Sequence, residues 1–407
     1  MTTRCGGPDG PPHRNPARRM TTDQPTPSKT QFFHLPPERL PFGLHLGGHL
    51  DEVTIAYETC GELAPDASNA ILVFHALTGS QHLAGWTESV DGVDKWNDEC
   101  RRGWWSDFVG PGLAIDTDRW FVIGANYLGG CYGSTGPSSL DPATGLPYGS
   151  TFPELRFVDV VDTQMALLDH LGIDRLHAVV GGSTGGLLAL LTATRHPERV
   201  GTVIPIAAGL RTTELQFLHN FEQTVAILDD PDFAGGDYYD GPHPDRGLTL
   251  ARMIGHKTFV SLETMAERAQ DRVDRGWGDP PGYRLSHPLE SYIWAQGRRF
   301  LERFDANTYL RLMWMWQHFD LLSEAGGDAS SLVDLFDECT DQRFLVFSID
   351  SDVCFYPDEQ TQLMRVLKGA GVDAMRITVH SDKGHDSFLL EPELFAPHLR
   401  AVLAGER

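Results

Sequence analysis

Three residue types suited to nucleophilic catalysis stand far apart in this chain. Ser183 lies in Gly181-Gly182-Ser183-Thr184-Gly185, Asp352 in Ser351-Asp352-Val353-Cys354, and His385 in Lys383-Gly384-His385-Asp386. A serine hydroxyl is a weak nucleophile unless a base takes its proton, and a histidine serves best as that base when a carboxylate orients it. The surroundings of Ser183 fit the role. Ala178, Val179 and Val180 read as the end of a buried strand. Leu187, Leu188, Leu190 and Leu191 read as the apolar side of a helix that ends near His196-Pro197. The G-x-S-x-G between them is a sharp strand-to-helix turn, and its glycines leave room beside the serine. The turn also puts Ser183 at a helix N-terminus, where free N–H groups favour developing negative charge. Taken alone, the same residues could be an ordinary glycine-rich loop.

A serine presented on such a turn takes its partners in the chain order acid, then histidine. Both belong in loops at the C-terminal ends of parallel strands. The apolar run Phe344 to Ile349 leads to Asp350 and Asp352, and the strand Met375 to His380 leads to the loop with His385. Asp352 is preferred to Asp350 because it lies farther past the strand, where a loop can turn it toward the histidine. A tetrahedral oxyanion needs two N–H donors. One is expected from Thr184, after the nucleophile; the other from Leu77 or Thr78, in the loop that follows the apolar run Ala70 to Phe74.

The elements around these residues alternate. Val53, Ile55 and Tyr57 mark an antiparallel strand, Ala70–Phe74 and Trp120–Ile123 buried strands, and Val161, Met165 and Leu168 a helix. A further strand centres on Val203 to Ile206, and a helix is expected from Asp358 to Leu367. Strands alternating with helices predict an α/β fold with a mostly parallel sheet. Residues 213–335 break the alternation with helical patterns alone. The predicted organisation is a tail over 1–35, a core over 36–212, a helical insertion over 213–335, and the rest of the core over 336–407.

With 407 residues, 41% hydrophobic and 22% charged, the chain can bury a large core. No apolar run approaches the roughly 20 residues that span a membrane. A net charge of −23 argues against nucleic acid and anionic membrane surfaces as partners. Cys5, Cys60, Cys100, Cys131, Cys339 and Cys354 are widely spaced, without a disulfide or zinc pattern, and no metal site is expected. No secretory signal is visible, so a reduced, cytoplasmic protein is expected. The tail is rich in Pro, Gly, Thr and Arg and reads as disordered, with Met20 a second candidate start.

Longer stretches carry a resemblance. "LVFHALTGS", "GWWSDFVGPGLAIDTDRWFVIGANYLGGCYGSTGPSSLDPATGLPYGSTFP", "VVGGSTGG", "LARMIGHKTF", "SYIWAQGRRFLERFDANTYL", "SDVCFYPDEQ" and "GHDSFL" resemble the homoserine O-acetyltransferase family. The resemblance covers most of residues 45–395 and implies an α/β-hydrolase fold with a helical lid. It implies Ser183 as nucleophile, Asp352 and His385 as its partners, and substrate contacts at Arg252 and Asp386. It also implies acetyl-CoA as co-substrate with no bound cofactor, L-homoserine as acceptor in methionine biosynthesis, and a homodimer through the insertion. Succinyl-CoA as donor, L-serine as acceptor, or water as in an esterase are the alternatives. Two positions depart from the family: Thr184 stands where methionine is usual, and Phe259, among the expected substrate contacts, where tyrosine is common. An arginine fork suits an amino-acid carboxylate, and an aspartate beside the catalytic histidine suits the ammonium.

Overall fold

The computed structural model describes residues 29–406, and eight strands there form one sheet. In chain order they are β1 (Gln31–His34), β2 (Thr54–Cys60), β3 (Ala70–Phe74), β4 (Phe121–Ala125), β5 (Leu176–Gly182), β6 (Val200–Ile206), β7 (Arg343–Ile349) and β8 (Asp373–Val379). Their spatial order is β1-β2-β4-β3-β5-β6-β7-β8. The last six in that order are parallel; β2 is antiparallel to β4, and β1 to β2. The central strands are continuous apolar runs because both faces of the sheet are covered. Leu72, Ile123, Val179 and Val203 enter one core, while Ile71, Val122, Val180 and Ile204 enter another. Successive strand side chains point to opposite faces, so one run feeds both cores.

Helices α1 (Phe157–His170) and α2 (Thr184–Arg195) supply the first core. After β6 comes the helical insertion: α3 (Glu214–Leu228), α4 (Asp245–Phe259), α5 (Leu262–Ala269), α6 (Pro288–Phe300) and α7 (Ala306–Gln317). Its two ends meet. Thr212 N–H donates to the Phe319 carbonyl at 3.0 Å, and Leu321 N–H to the Leu210 carbonyl at 2.9 Å. The insertion therefore closes near residue 320, short of the expected boundary at 335. Helices α8 (Leu321–Ala325) and α9 (Leu332–Phe336) belong to the core: α8 packs on α1 and α2, and Leu321, Leu335 and Phe336 are buried in the first core. The reason is topological. Parallel β6 and β7 need a crossover that returns over a sheet face, and α8 and α9 provide it. Helix α10 (Pro357–Gly369) joins β7 to β8, and α11 (Pro392–Leu403) covers the second core with Phe395 and Leu399.

The tail is the other correction. Gln31–His34 lies inside the segment expected to be disordered, yet it pairs along β2 from Gln31↔Tyr57 to His34↔Thr54, with Phe33 buried. Phe33 enters the first core and Phe32 packs partly buried against it, which anchors this edge strand despite the polar composition around it. Cys5 and Met20 lie outside the described residues. Among the described residues no helix is long and apolar enough to cross a membrane.

Candidate active site

The loops that leave β3, β5, β7 and β8 meet at one edge of the sheet because the strand ends are in register: Phe74↔Gly181, Gly182↔Ile206, Ile206↔Phe347 and Ile349↔Val379. Ser183 follows β5 directly and precedes the first residue of α2. Its backbone has φ 61° and ψ −128°, a left-handed conformation that is costly for a residue with a side chain. The turn around it admits no bulk: a Cβ on Gly181 would sit 2.1 Å from the Gly185 carbonyl oxygen. The Ser183 N–H is tied to the Ile206 carbonyl at 2.9 Å.

His385 Nδ1 and Asp352 Oδ2 are 2.6 Å apart, both residues being buried. The other carboxylate oxygen, Asp352 Oδ1, accepts the Cys354 and Phe355 N–H groups at 2.7 and 2.8 Å. The imidazole stacks on Phe355 and meets Phe388 edge-on, which fixes its plane. Its Nε2 is buried and has no hydrogen-bond partner among the described residues. Burial pushes the His385 pKa down, but the charge and hydrogen bond of Asp352, helped by Asp386, outweigh it and hold the pKa above its ordinary value. Asp350 goes elsewhere: it pairs with the exposed His380 at 2.8 Å.

Ser183 and His385 line one cavity of about 230 Å³ together with Leu77, Thr78, Arg252 and Asp386. Phe259 also lines it, whereas Thr184 lies wholly buried behind Ser183 at the start of α2. Arg252, on α4, is half-buried with its guanidinium over the rings of Phe300 and Phe259, 4.8 and 5.4 Å from their centroids. Burial, with Arg303 nearby, lowers its pKa. Burial likewise raises that of Asp386, against His385 and Arg252. Neither side chain makes a hydrogen bond or ion pair with a described residue, although Asp386 precedes a short helix that it could have capped. The loop carrying His385 is fastened to the insertion: Asp386 N–H donates to the Phe259 carbonyl at 2.9 Å and Ser261 N–H to the Lys383 carbonyl at 3.2 Å. No group of three His, Cys, Asp or Glu side chains among the described residues is placed to hold a metal ion.

The sequence profile of the alpha/beta hydrolase fold matches residues 69–363. A homoserine O-acetyltransferase of Solidesulfovibrio magneticus is 41% identical over 365 residues, covering 88% of each chain. The chain belongs to the homoserine O-acetyltransferase family, within the α/β-hydrolase superfamily. The crystal structure of the Bacillus anthracis homoserine O-acetyltransferase superposes with a TM-score of 0.79 at 25% identity, covering 92% of this chain and 97% of that one. Esterase E22 superposes equally well, with a TM-score of 0.79, 25% identity, and 92% and 99% coverage.

Within this member of the homoserine O-acetyltransferase family, several site residues have no sequence signal of their own. Arg303 sits in the cavity wall, its Nε 3.2 Å from Glu99 Oε2. The neighbouring Arg299 lies 3.6 Å from the same carboxylate. Gln216 of α3 donates through Nε2 to the Cys354 carbonyl at 2.8 Å and to Glu359 Oε1 at 3.1 Å, just behind Asp352. Burial, with Asp352 beside it, pushes Glu359 up to about 8. Arg299 and Arg303 lie in "SYIWAQGRRFLERFDANTYL", Glu359 in "SDVCFYPDEQ", and Tyr127 and Tyr132 in "NYLGGCYGSTGPSS", whereas Glu99 and Gln216 lie outside every stretch that carries the resemblance.

Proposed function

We propose that this enzyme transfers an acetyl group from acetyl-CoA to the hydroxyl of L-homoserine through an acetyl-Ser183 intermediate. In the first half-reaction His385 Nε2 takes the Ser183 proton as Oγ bonds to the thioester carbonyl carbon. The tetrahedral oxyanion faces the N–H groups of Thr184 and of Leu77 or Thr78. Its collapse breaks the C–S bond, and His385 returns the proton to the departing CoA sulfur. In the second half-reaction the homoserine hydroxyl gives its proton to His385 and attacks the acetyl carbon. Ser183 Oγ then leaves and recovers the proton. Asp352 holds the imidazole in the required tautomer and stabilises its cationic form.

The observation that carries an amino-acid acceptor is the pair of unpartnered, opposite charges flanking the base. Burying an unpaired charge is expensive, so two left open beside one cavity mark a site awaiting a zwitterion. Arg252 receives the carboxylate, in a cleft roofed by Phe259, and Asp386 the ammonium, bringing the hydroxyl to His385. A homodimer is part of this reading. Leu218, Phe221, Val225 and Leu228 form an exposed stripe on α3, continued by Leu250 of α4, which a second copy would cover. The five described cysteines are unpaired, in keeping with a cytoplasmic location.

The likeness to esterase E22 supports a second reading, in which water is the acceptor. A donor–acceptor matrix separates the two: acetyl-CoA and succinyl-CoA against homoserine, serine and water, read by free thiol. Incubation with acetyl-CoA alone should add one acetyl mass to the peptide that contains Ser183. Ser183→Ala should lose the adduct and activity by on the order of 10⁶. More than about a tenth of wild-type activity in that variant refutes the covalent mechanism.

A further inference from the structure

The stretch Asn126–Ser139 packs where it can act on the loop after β3. Its own position is fixed by β2. Thr135 N–H donates to the Thr54 carbonyl at 2.8 Å, Thr54 N–H to Thr135 Oγ1 at 2.8 Å, and Ala56 N–H to Ser134 Oγ at 3.0 Å. Ser134 Oγ in turn donates to the Asn126 carbonyl at 3.0 Å. From this platform two buried tyrosines reach the loop that carries Leu77 and Thr78. The Tyr127 hydroxyl donates to the His75 carbonyl, and its ring stacks on the His75 imidazole with centroids 3.6 Å apart. Tyr132 acts through the insertion: its hydroxyl donates to the Arg303 carbonyl at 2.8 Å and accepts from Arg303 Nη1 at 3.1 Å. That same Nη1 donates to the Thr78 carbonyl at 3.0 Å.

We propose that Tyr127, Tyr132 and Arg303 clamp the loop after β3 at both ends, and that the N–H they hold in place for the oxyanion is that of Leu77. Peptide planarity ties the clamp to that N–H. The Ala76 carbonyl is held by two groups, His75 Nδ1 at 2.7 Å and the Gly79 N–H at 2.9 Å. A trans peptide points its N–H opposite to its C=O, so pinning the Ala76 carbonyl pins the Leu77 N–H on the other side of the same plane. His75 can act this way only while Tyr127 fixes its ring. Burial lowers the His75 pKa to about 4, so the imidazole is neutral and its single ring proton serves the Ala76 carbonyl from Nδ1. The Thr78 end is secured from across the cavity by a guanidinium that Glu99 also holds. Preorganised donors lower a barrier because they need no reorientation as charge develops.

The clamp rests on the acyl-enzyme mechanism above, and it deepens that mechanism by naming positioning residues for both half-reactions. Both steps pass through a tetrahedral oxyanion, so both should slow together. Tyr127→Phe and Tyr132→Phe remove one hydroxyl each and keep the ring. Each should lower the single-turnover rate of acetylation by acetyl-CoA, and of deacetylation by homoserine, by about tenfold per acetylatable site. KM for either substrate should stay within about twofold, and the acid limb of the pH–rate profile should not move. Arg303→Lys should retain more of both rates than Arg303→Met. Burst amplitude counts folded, competent sites, so a variant that only misfolds loses amplitude and melting temperature but keeps its rate per site, which overturns the clamp. A rise in homoserine KM alone for the Arg303 variants also overturns it, by making Arg303 a substrate contact. Absence of an acetyl adduct on wild-type Ser183 overturns the acyl-enzyme mechanism and the clamp together. An adduct with unchanged variant rates overturns the clamp alone.

Discussion

Asp352→Asn tests the geometry of the proposed base most sharply. Asp352 Oδ1 sits under two N–H groups, Cys354 and Phe355 at 2.7 and 2.8 Å, and Oδ2 meets His385 Nδ1 at 2.6 Å. An asparagine there keeps its carbonyl oxygen under the two N–H donors, because an amide nitrogen in that place would face them with its own hydrogens. Its NH₂ group therefore meets Nδ1. The ring must then accept at Nδ1 and carry its proton on Nε2, the nitrogen that has to take the proton of Ser183. The expected loss is about 10⁴ in kcat, as for the same change in a serine protease triad, or roughly 5 kcal/mol of barrier at 1.36 kcal/mol per decade. The pH dependence has a defined sign. Burial alone lowers His385, and Asp352 is the main group that raises it above its ordinary value. Only the neutral imidazole is a base, so the wild-type rate falls as pH drops through that raised value. The residual activity of the variant should hold to lower pH. The assay is thiol release from acetyl-CoA in stopped flow between pH 5 and 9, with Asp350→Asn as control. Asp350 pairs with the exposed His380 and with the backbone N–H groups of Ser381 and Ser351, away from His385, so its loss should change kcat by less than about twofold. An Asp352→Asn enzyme with more than about a hundredth of wild-type kcat, or the reverse ranking of the two variants, refutes the reasoning.

Arg252→Lys keeps the charge and loses the fork, so homoserine kcat/KM should fall by about tenfold or more while acetylation of Ser183 stays nearly normal. Unchanged acceptor kinetics in both Arg252→Lys and Asp386→Asn would sink the docking scheme. Glu359, lifted by burial from 4.5 to about 8, is neutral in the fold at pH 7, and the stability this confers is lost as pH rises from 4.5 through about 8. The melting temperature of Glu359→Gln should therefore gain on that of the wild type between pH 5 and pH 8.5, and a constant difference across this range counts against a buried neutral carboxyl. Phe221→Asp, in the middle of the exposed α3 stripe, should convert a dimer to a monomer in light scattering. A dimer that survives the change at micromolar concentration places the interface elsewhere.

The features legible along the chain are those that local chemistry dictates. A strand, a turn too tight for side chains and a helix stand next to one another in the chain around Ser183, so their pattern could be read without knowing any distant contact. The alternation of buried strands with helices likewise fixed the parallel sheet, and the sheet implied that catalytic loops gather at its C-terminal edge. The ordering of acid before histidine came with the serine turn itself. Tertiary structure decided everything that depends on which distant groups compete for a partner. Asp350 and Asp352 lie two positions apart on one loop, and only packing gives the first to His380 and the second to His385. A helical period does not say which body a helix packs on, so α8 and α9 looked like insertion and proved to be the crossover between β6 and β7. The same period predicts the α3 helix but not that its apolar stripe faces outward. Arg303 and Thr78 are separated by 225 residues, and no spacing could have joined them. Turn and helix preferences act over a few residues, whereas a contact closed across half the chain is set by how the whole core packs.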